Sequence, residues 1–281
     1  MGILPQISID IVSSIVGAVI ISILIKLWNY FAVIRVFRAI NVLITGKKYV
    51  LIWIDERVET GKIMEDYFYD KDDRFHYREL NEATKILRYP RGSRFTEVII
   101  LINTDVTKFS SNDKIREKVQ DYLCKFTNNG GLLVGTHDII YRRVRNTLLE
   151  GLFGCTITEF VKSEEQMDYV INSVYLLHPL LRDLESPIRM EDGEICWGKW
   201  HNDAHVLANC TISEKEYPVI VAKKTKLGGI VWINTGDKQK NHCKTILDAI
   251  TKENVNFLLI ILNAIKHKKE ILQYSYINNT K

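Results

Sequence analysis

Asn129-Gly130-Gly131-Leu132-Leu133-Val134-Gly135-Thr136-His137-Asp138 is the stretch on which the fold turns. A short apolar run, Leu132 to Val134, stands between a double glycine and a Gly-Thr-His-Asp turn, and helix-like sequence follows. That layout predicts a strand-to-helix elbow at the carboxyl edge of a parallel sheet, where such folds place ligand-touching or reactive side chains. Ser or Cys, the usual elbow nucleophile, is missing, and His137 stands near the place where one is expected.

Upstream of the elbow, residues 49–54 and 97–102 are continuous apolar runs of the kind that form strands buried on both faces. The first ends at Asp55-Glu56 and the second at Asn103-Thr104-Asp105. A helix start over 61–69 and a short alternating strand over 75–79 lie between them. Residues 110–127 show helical spacing, with Ser110 and Asn112 as N-caps, an apolar face of Ile115, Val119, Tyr122, Leu123 and Phe126, and Asn129-Gly130 as the stop. Downstream, 169–177, 194–200 and 204–210 alternate as strands, the last two antiparallel. Residues 218–222 and 229–234 are apolar strands around a turn, and 256–265 is a helix too short to span a bilayer. Buried strands alternating with helices predict an α/β doubly wound, mostly parallel sheet with an antiparallel C-terminal extension, in one domain over 49–281.

Hydrophobic residues make up 46% of the 281, enough for a sizeable core. The net charge of +4 is too mild for the broad basic surface of a nucleic-acid binder, so no nucleic-acid partner is expected. Five cysteines, an odd number with no Cys-x-x-Cys spacing, read as reduced core thiols rather than a disulfide framework or zinc ribbon.

Residues 1–48 read as a transmembrane anchor and juxtamembrane helix. Ile11–Phe31 supplies the roughly 20 apolar residues a spanning helix needs, with Lys26 snorkelling and Trp28 and Tyr30 in the aromatic belt. The basic residues follow the run instead of preceding it, and Leu-Trp-Asn-Tyr-Phe is a poor cleavage site, which argues against a signal peptide. Lys26, Arg35, Arg38, Lys47 and Lys48 against the single acid Asp10 predict a single-pass protein, N-terminus outside and C-terminal domain cytoplasmic. Residues 34–45 either extend the span or form an amphipathic juxtamembrane helix.

Three motifs give the chain a resemblance. They are Gly130-Gly131-Leu132-Leu133-Val134-Gly135-Thr136-His137, then His178-Pro179-Leu180-Leu181-Arg182-Asp183-Leu184 followed by the acidic Met190-Glu191-Asp192-Gly193-Glu194, and last Pro218–Ala222 with Gly228–Gly236. In this order they resemble the trehalose-utilisation (ThuA-like) proteins, a branch of the class I glutamine-amidotransferase-like, flavodoxin-type fold. The match covers roughly 49–267. It departs from the family pattern at Thr136, where Ile or Leu is usual, and at Asp237, where His is usual. Amidotransferases of this fold use an elbow Cys. None of the five cysteines lies in the elbow, so that glutaminase chemistry is not expected.

His137 is the candidate catalytic residue, as general base or as ligand contact, because imidazole titrates near neutral pH; capping the following helix is its structural alternative. Asp55, Asp105, Gly135, Thr136, Asp138, Glu194 and Asp237 are the further candidate ligand-binding residues. The acids at strand ends serve equally as helix caps. Arg142, Arg143 and Arg145 follow the elbow and suit a phosphate or carboxylate, or a solvated helix face. His201-x-x-x-His205 falls in strand-like sequence, so the helical zinc spacing is not met. His178 before Pro179 reads as a turn residue, and neither metal nor cofactor is expected. The expected partners are the lipid bilayer, a small polar ligand and further copies of the chain. The reading is a membrane-anchored sensor of a nucleotide or sugar derivative. The alternatives are a sugar-modifying or hydrolytic enzyme using His137 with a carboxylate, and a structural partner-binding module.

Overall fold

The computed structural model describes residues 4–54, 58–80, 82–102, 110–136, 139–140, 146–162, 166–191, 194–234 and 255–276. In chain order the elements are α1 (Leu4–Thr45), β1 (Lys48–Ile54), α2 (Val58–Lys71), β2 (Phe75–Glu79), β3 (Thr96–Ile102), α3 (Asp113–Asn128), β4 (Leu132–Thr136) and α4 (Thr147–Phe153). They continue with β5 (Cys155–Lys162), β6 (Gln166–Ile171), β7 (Ile188–Glu191), β8 (Glu194–Trp200), β9 (Ala204–Ile212), β10 (Lys215–Lys224), β11 (Gly229–Ile233), α5 (Val255–Lys266) and α6 (Lys268–Gln273).

A nine-stranded sheet runs in the order β2-β1-β3-β4-β11-β10-β9-β6-β7, and β5 pairs with β8 in a second sheet. The first five strands are parallel, and each later neighbour is antiparallel. The large mixed sheet of an α/β fold is as expected, but its pairings divide evenly rather than being mostly parallel. The reason is that β9 and β10 join through the Ser213-Glu214 turn, both residues at positive φ, and continue the sheet by hairpins where helical crossovers would keep it parallel.

Side-chain alternation sends each parallel strand to two cores. Val50, Ile52, Val98, Ile100, Val134 and Val231 meet Met64 and Phe68 of α2 and Phe257 to Ile265 of α5. Leu51, Ile99, Leu101, Leu133 and Trp232 meet Val119, Tyr122 and Phe126 of α3 and Leu149 and Phe153 of α4. The sheet is therefore covered on both faces, as its unbroken apolar strands require. Asn112 caps α3, its Oδ1 accepting the Ile115 N–H at 3.3 Å. Gly228, before β11, permits a close backbone crossing over the start of β4. A Cβ on Gly228 would stand 2.2 Å from the Gly131 carbonyl, while the Gly229 N–H donates to that same oxygen at 3.1 Å.

Several expectations need correction. The strand expected over 169–177 stops at Ile171, because the Asn172 side chain accepts the Val174 N–H and turns the chain into a 3-10 helix, Ser173–Tyr175. β8 and β9, both read as antiparallel strands, lie in different sheets: β8 pairs with β5, and β9 sits between β10 and β6. β5 and β7 are additional to the expected strands. Among the described residues no helix is long and apolar enough to cross a membrane. The last turns of α1 pack on the domain. Val42 is buried, Arg38 lies 3.6 Å from the Tyr89 ring centroid, Asn41 donates to the Tyr49 hydroxyl at 3.1 Å, and Arg35 donates through Nε to the Leu87 carbonyl at 2.7 Å.

Candidate functional site

The chain passes from β1 outward to β2 and then back to β3 on the other side, so the direction of winding reverses between β1 and β3. Open α/β sheets bind ligands outside the carboxyl ends of their strands at such a switch point. The registers set Ile54 opposite Ile102 and Ile233 opposite Thr136, so the strand ends make one continuous edge.

Gly135 and Thr136 close β4 at this edge. A Cβ on Gly135 would stand 2.8 Å from Phe153 Cζ and 2.9 Å from Ile139 Cγ2, so the glycine lets α4 pack directly on the strand. Thr136 is buried at 1% exposure. Glu194 opens β8 and pairs with Lys162 of β5 in the second sheet. Asp55, Asp105, His137, Asp138 and Asp237 lie outside the described residues, as do Glu56, Arg142, Arg143 and Arg145.

Asn234, which was not among the expected site residues, organises the edge. It is fully buried beyond β11, and its Oδ1 accepts the Cys196 N–H at 2.8 Å. Its Nδ2 donates to the carbonyls of Cys196 and Pro218, each at 2.8 Å, and its own carbonyl accepts the Tyr169 hydroxyl at 3.0 Å. One amide therefore holds β8 of the small sheet, with Glu194 two residues before Cys196, against β10 and β11 of the large one. The sequence signal was a lone Asn after the apolar run 229–233.

Cys155 and Cys196 are buried, and burial followed by the Glu150 carboxylate pushes the Cys155 thiol up to about 12, away from the reactive thiolate. The three histidines weighed for metal binding have other surroundings. His178 Nδ1 accepts the Leu180 N–H at 3.2 Å, capping the 3-10 turn Pro179–Leu181, and Nε2 faces the Tyr276 hydroxyl at 3.1 Å. His205 stacks on Tyr276 with ring centroids 4.1 Å apart, Asp203 pairs with Lys223 at 3.1 Å, and the His201 N–H donates to the Gly154 carbonyl at 2.8 Å. Among the described residues no three His, Cys, Asp or Glu side chains converge to hold a metal.

Solved structures share this architecture. The fold is that of ThuA-like proteins. One from Bacteroides uniformis ATCC 8492 is similar over 77% of this chain and 89% of its own, at 17% identity and a TM-score of 0.51. Another, from Parabacteroides merdae ATCC 43184, is similar over 79% of this chain and 90% of its own, at 11% identity and a TM-score of 0.50. A glutamine amidotransferase from Thermotoga maritima reaches only 0.44 at 14% identity, over 80% of this chain and 94% of its own. No protein-family model matches the sequence, and no curated protein does. At these identities the likeness concerns the fold alone. The identity of any ligand is a separate matter.

Proposed function

We propose that the chain is a membrane-anchored module that senses a small polar ligand, a nucleotide or sugar derivative, at the carboxyl edge of its parallel strands. The observation that carries this reading is the strand order β2-β1-β3-β4-β11. It makes neighbours of the strand ends after which Asp55, Asp105, His137 and Asp237 follow in sequence. Carboxylates and an imidazole around such an edge suit hydroxyl and amine groups of a sugar or base. In this reading His137 contacts the ligand, and Gly135 and Thr136 form the floor.

α1 supplies the anchor. Ile15, Val16, Val19, Ile20 and Ile21 are each half or more exposed; the first four share one side of the helix and Ile21 lies off it. An exposed, uncharged helical stretch with this many large apolar side chains needs lipid or protein against it. Arg35, Arg38, Lys47 and Lys48 then put the domain on the cytoplasmic side. Ligand binding alters how copies of the domain associate, and so how their helices meet.

The test is His137→Ala in the full-length protein, with co-purifying small molecules identified by native mass spectrometry. Ligand in the wild type, lost in the variant, with no turnover by either, is the expected result. Turnover that disappears with His137 replaces the sensor by a hydrolytic or sugar-modifying enzyme. Absence of any ligand overturns both readings. The anchor is tested separately, by resistance of the membrane-associated protein to alkaline carbonate extraction.

A further inference from the structure

At the opposite edge of the sheet, where β1, β2 and β3 begin, the surface folds inward to a pocket of about 520 Å³. Lys48 comes from β1, Arg74 precedes β2, Lys266 ends α5, and Lys268 and Lys269 open α6. Phe75 contributes an aromatic wall, and Gly46, the joint between α1 and β1, completes one side. Among the described residues, the carboxylates that share the lining with these five cations are Glu97 and Glu270. Glu270 is engaged by Arg182 at 2.7 Å and His267 at 2.9 Å, and Arg74 by Asp72 at 2.7 Å.

Lys268 is 5% exposed and Glu97 7% exposed, so both are desolvated. Glu97 is shared between Lys48 at 2.7 Å and Lys268 at 3.3 Å, one acid for two ammonium groups. Burial draws the Lys268 ammonium towards its neutral form, and the Glu97 charge opposes that pull. Lys266 and Lys269 stand exposed at the rim, adding positive potential at the mouth. A buried charge set with an excess of one sign is completed by a ligand of the other sign.

We propose that this pocket binds a dianionic phosphate group, its phosphate received by Lys48, Lys266, Lys268 and Lys269, and the rest of the ligand lying against Phe75. Ammonium point charges suit a tetrahedral dianion. The pocket volume falls within the range of small-molecule sites, roughly 300–1,000 Å³. The site lies across the sheet from the proposed sensing edge and stands independently of that reading. A soluble phosphate ester and a phosphatidate headgroup present the same chemistry, and the test separates them.

The experiment is isothermal titration of the full-length protein in detergent, at constant ionic strength, with inorganic pyrophosphate in one arm and dihexanoyl phosphatidic acid in the other. Saturable binding near one equivalent in either arm is expected, and the arm that binds identifies the source. Glu97 competes with the ligand for Lys48 and Lys268, so Glu97→Gln should tighten binding roughly tenfold. The exposed pair Lys266→Glu and Lys269→Glu should weaken it by at least as much, with an unchanged melting temperature. A rise in affinity in Glu97→Gln is not the result of a purely structural ion pair. No saturable binding in both arms overturns the proposal. So does binding that is indifferent to Glu97→Gln or to the rim pair.

Discussion

Asn234 makes five hydrogen bonds to groups far away in sequence, on β6, β8 and β10. Three of them use its side chain, and no other side chain of similar volume offers one acceptor and two donors in that geometry. Asn234→Ala leaves the Cys196 N–H, the Cys196 carbonyl and the Pro218 carbonyl without the partner that satisfied them. Each orphaned buried group costs about 1–3 kcal/mol. The variant should lose about 3 kcal/mol or more in guanidinium melts, and an unchanged midpoint would show that the amide is not the clamp between the two sheets. The Gly135 contact with Phe153 and Ile139 is of the same local kind, a position where packing excludes a side chain. At this scale β4 was legible because its glycines and its apolar run are contiguous. Asn234 was not, because its partners stand up to 65 residues away.

At the scale of elements, α1 changes character along its length. Residues 14–22 are exposed apart from Gly17, whereas the stretch from Arg35 to Val42 is held by the 3-10 helix Ala83–Arg88, Tyr89 and Tyr49. The helix end is thus part of the domain and joins β1 through Gly46 at φ +69°. Val42→Asp buries a charge at this contact and should free the last turns of α1. Hydrogen exchange should rise over 34–45 and stay unchanged in β3, and uniform protection would deny the packing. β1, β2, β3, β4 and α3 were legible because runs of apolar residues and caps are local signals. β5 was missed although Cys155–Lys162 alternates, because its partner β8 stands some forty residues later, and pairing over that distance leaves no mark in a window of sequence. The cationic pocket was equally hidden, because its lysines come from β1, α5 and α6.

At the scale of the whole molecule, the C-terminal segment is fastened by rings. Tyr274 and Tyr276 pack on His178, Tyr175 and His205, with the His178 and Tyr274 centroids 4.5 Å apart. Burial, and then the neighbouring His205, lower the His178 pKa from 6.5 to about 3. The unfolded chain therefore takes up a proton at this site below pH 6.5 while the folded chain does not. Stability from this site is complete above 6.5 and is lost as the pH falls towards about 3, at about 1.4 kcal/mol per unit where it alone responds. His178→Asn keeps the cap acceptor without the titration, so the acid limb of the melting-temperature profile should flatten in that variant. An identical acid limb in both proteins would remove His178 as its cause.

What the sequence by itself determined is the doubly wound core: strands of continuous Val, Ile and Leu need cover on both faces, and local helices with caps provide it. It also carried β4 and the apolar character of the first helix. The tertiary structure decided how the antiparallel half closes, with β9 between β10 and β6 and with β8 turned away to β5. It also decided which lone polar residue holds the two sheets together, and where five cations meet. Those outcomes rest on pairings between distant segments, whose energies arise only when the chain is folded and water has left the contact.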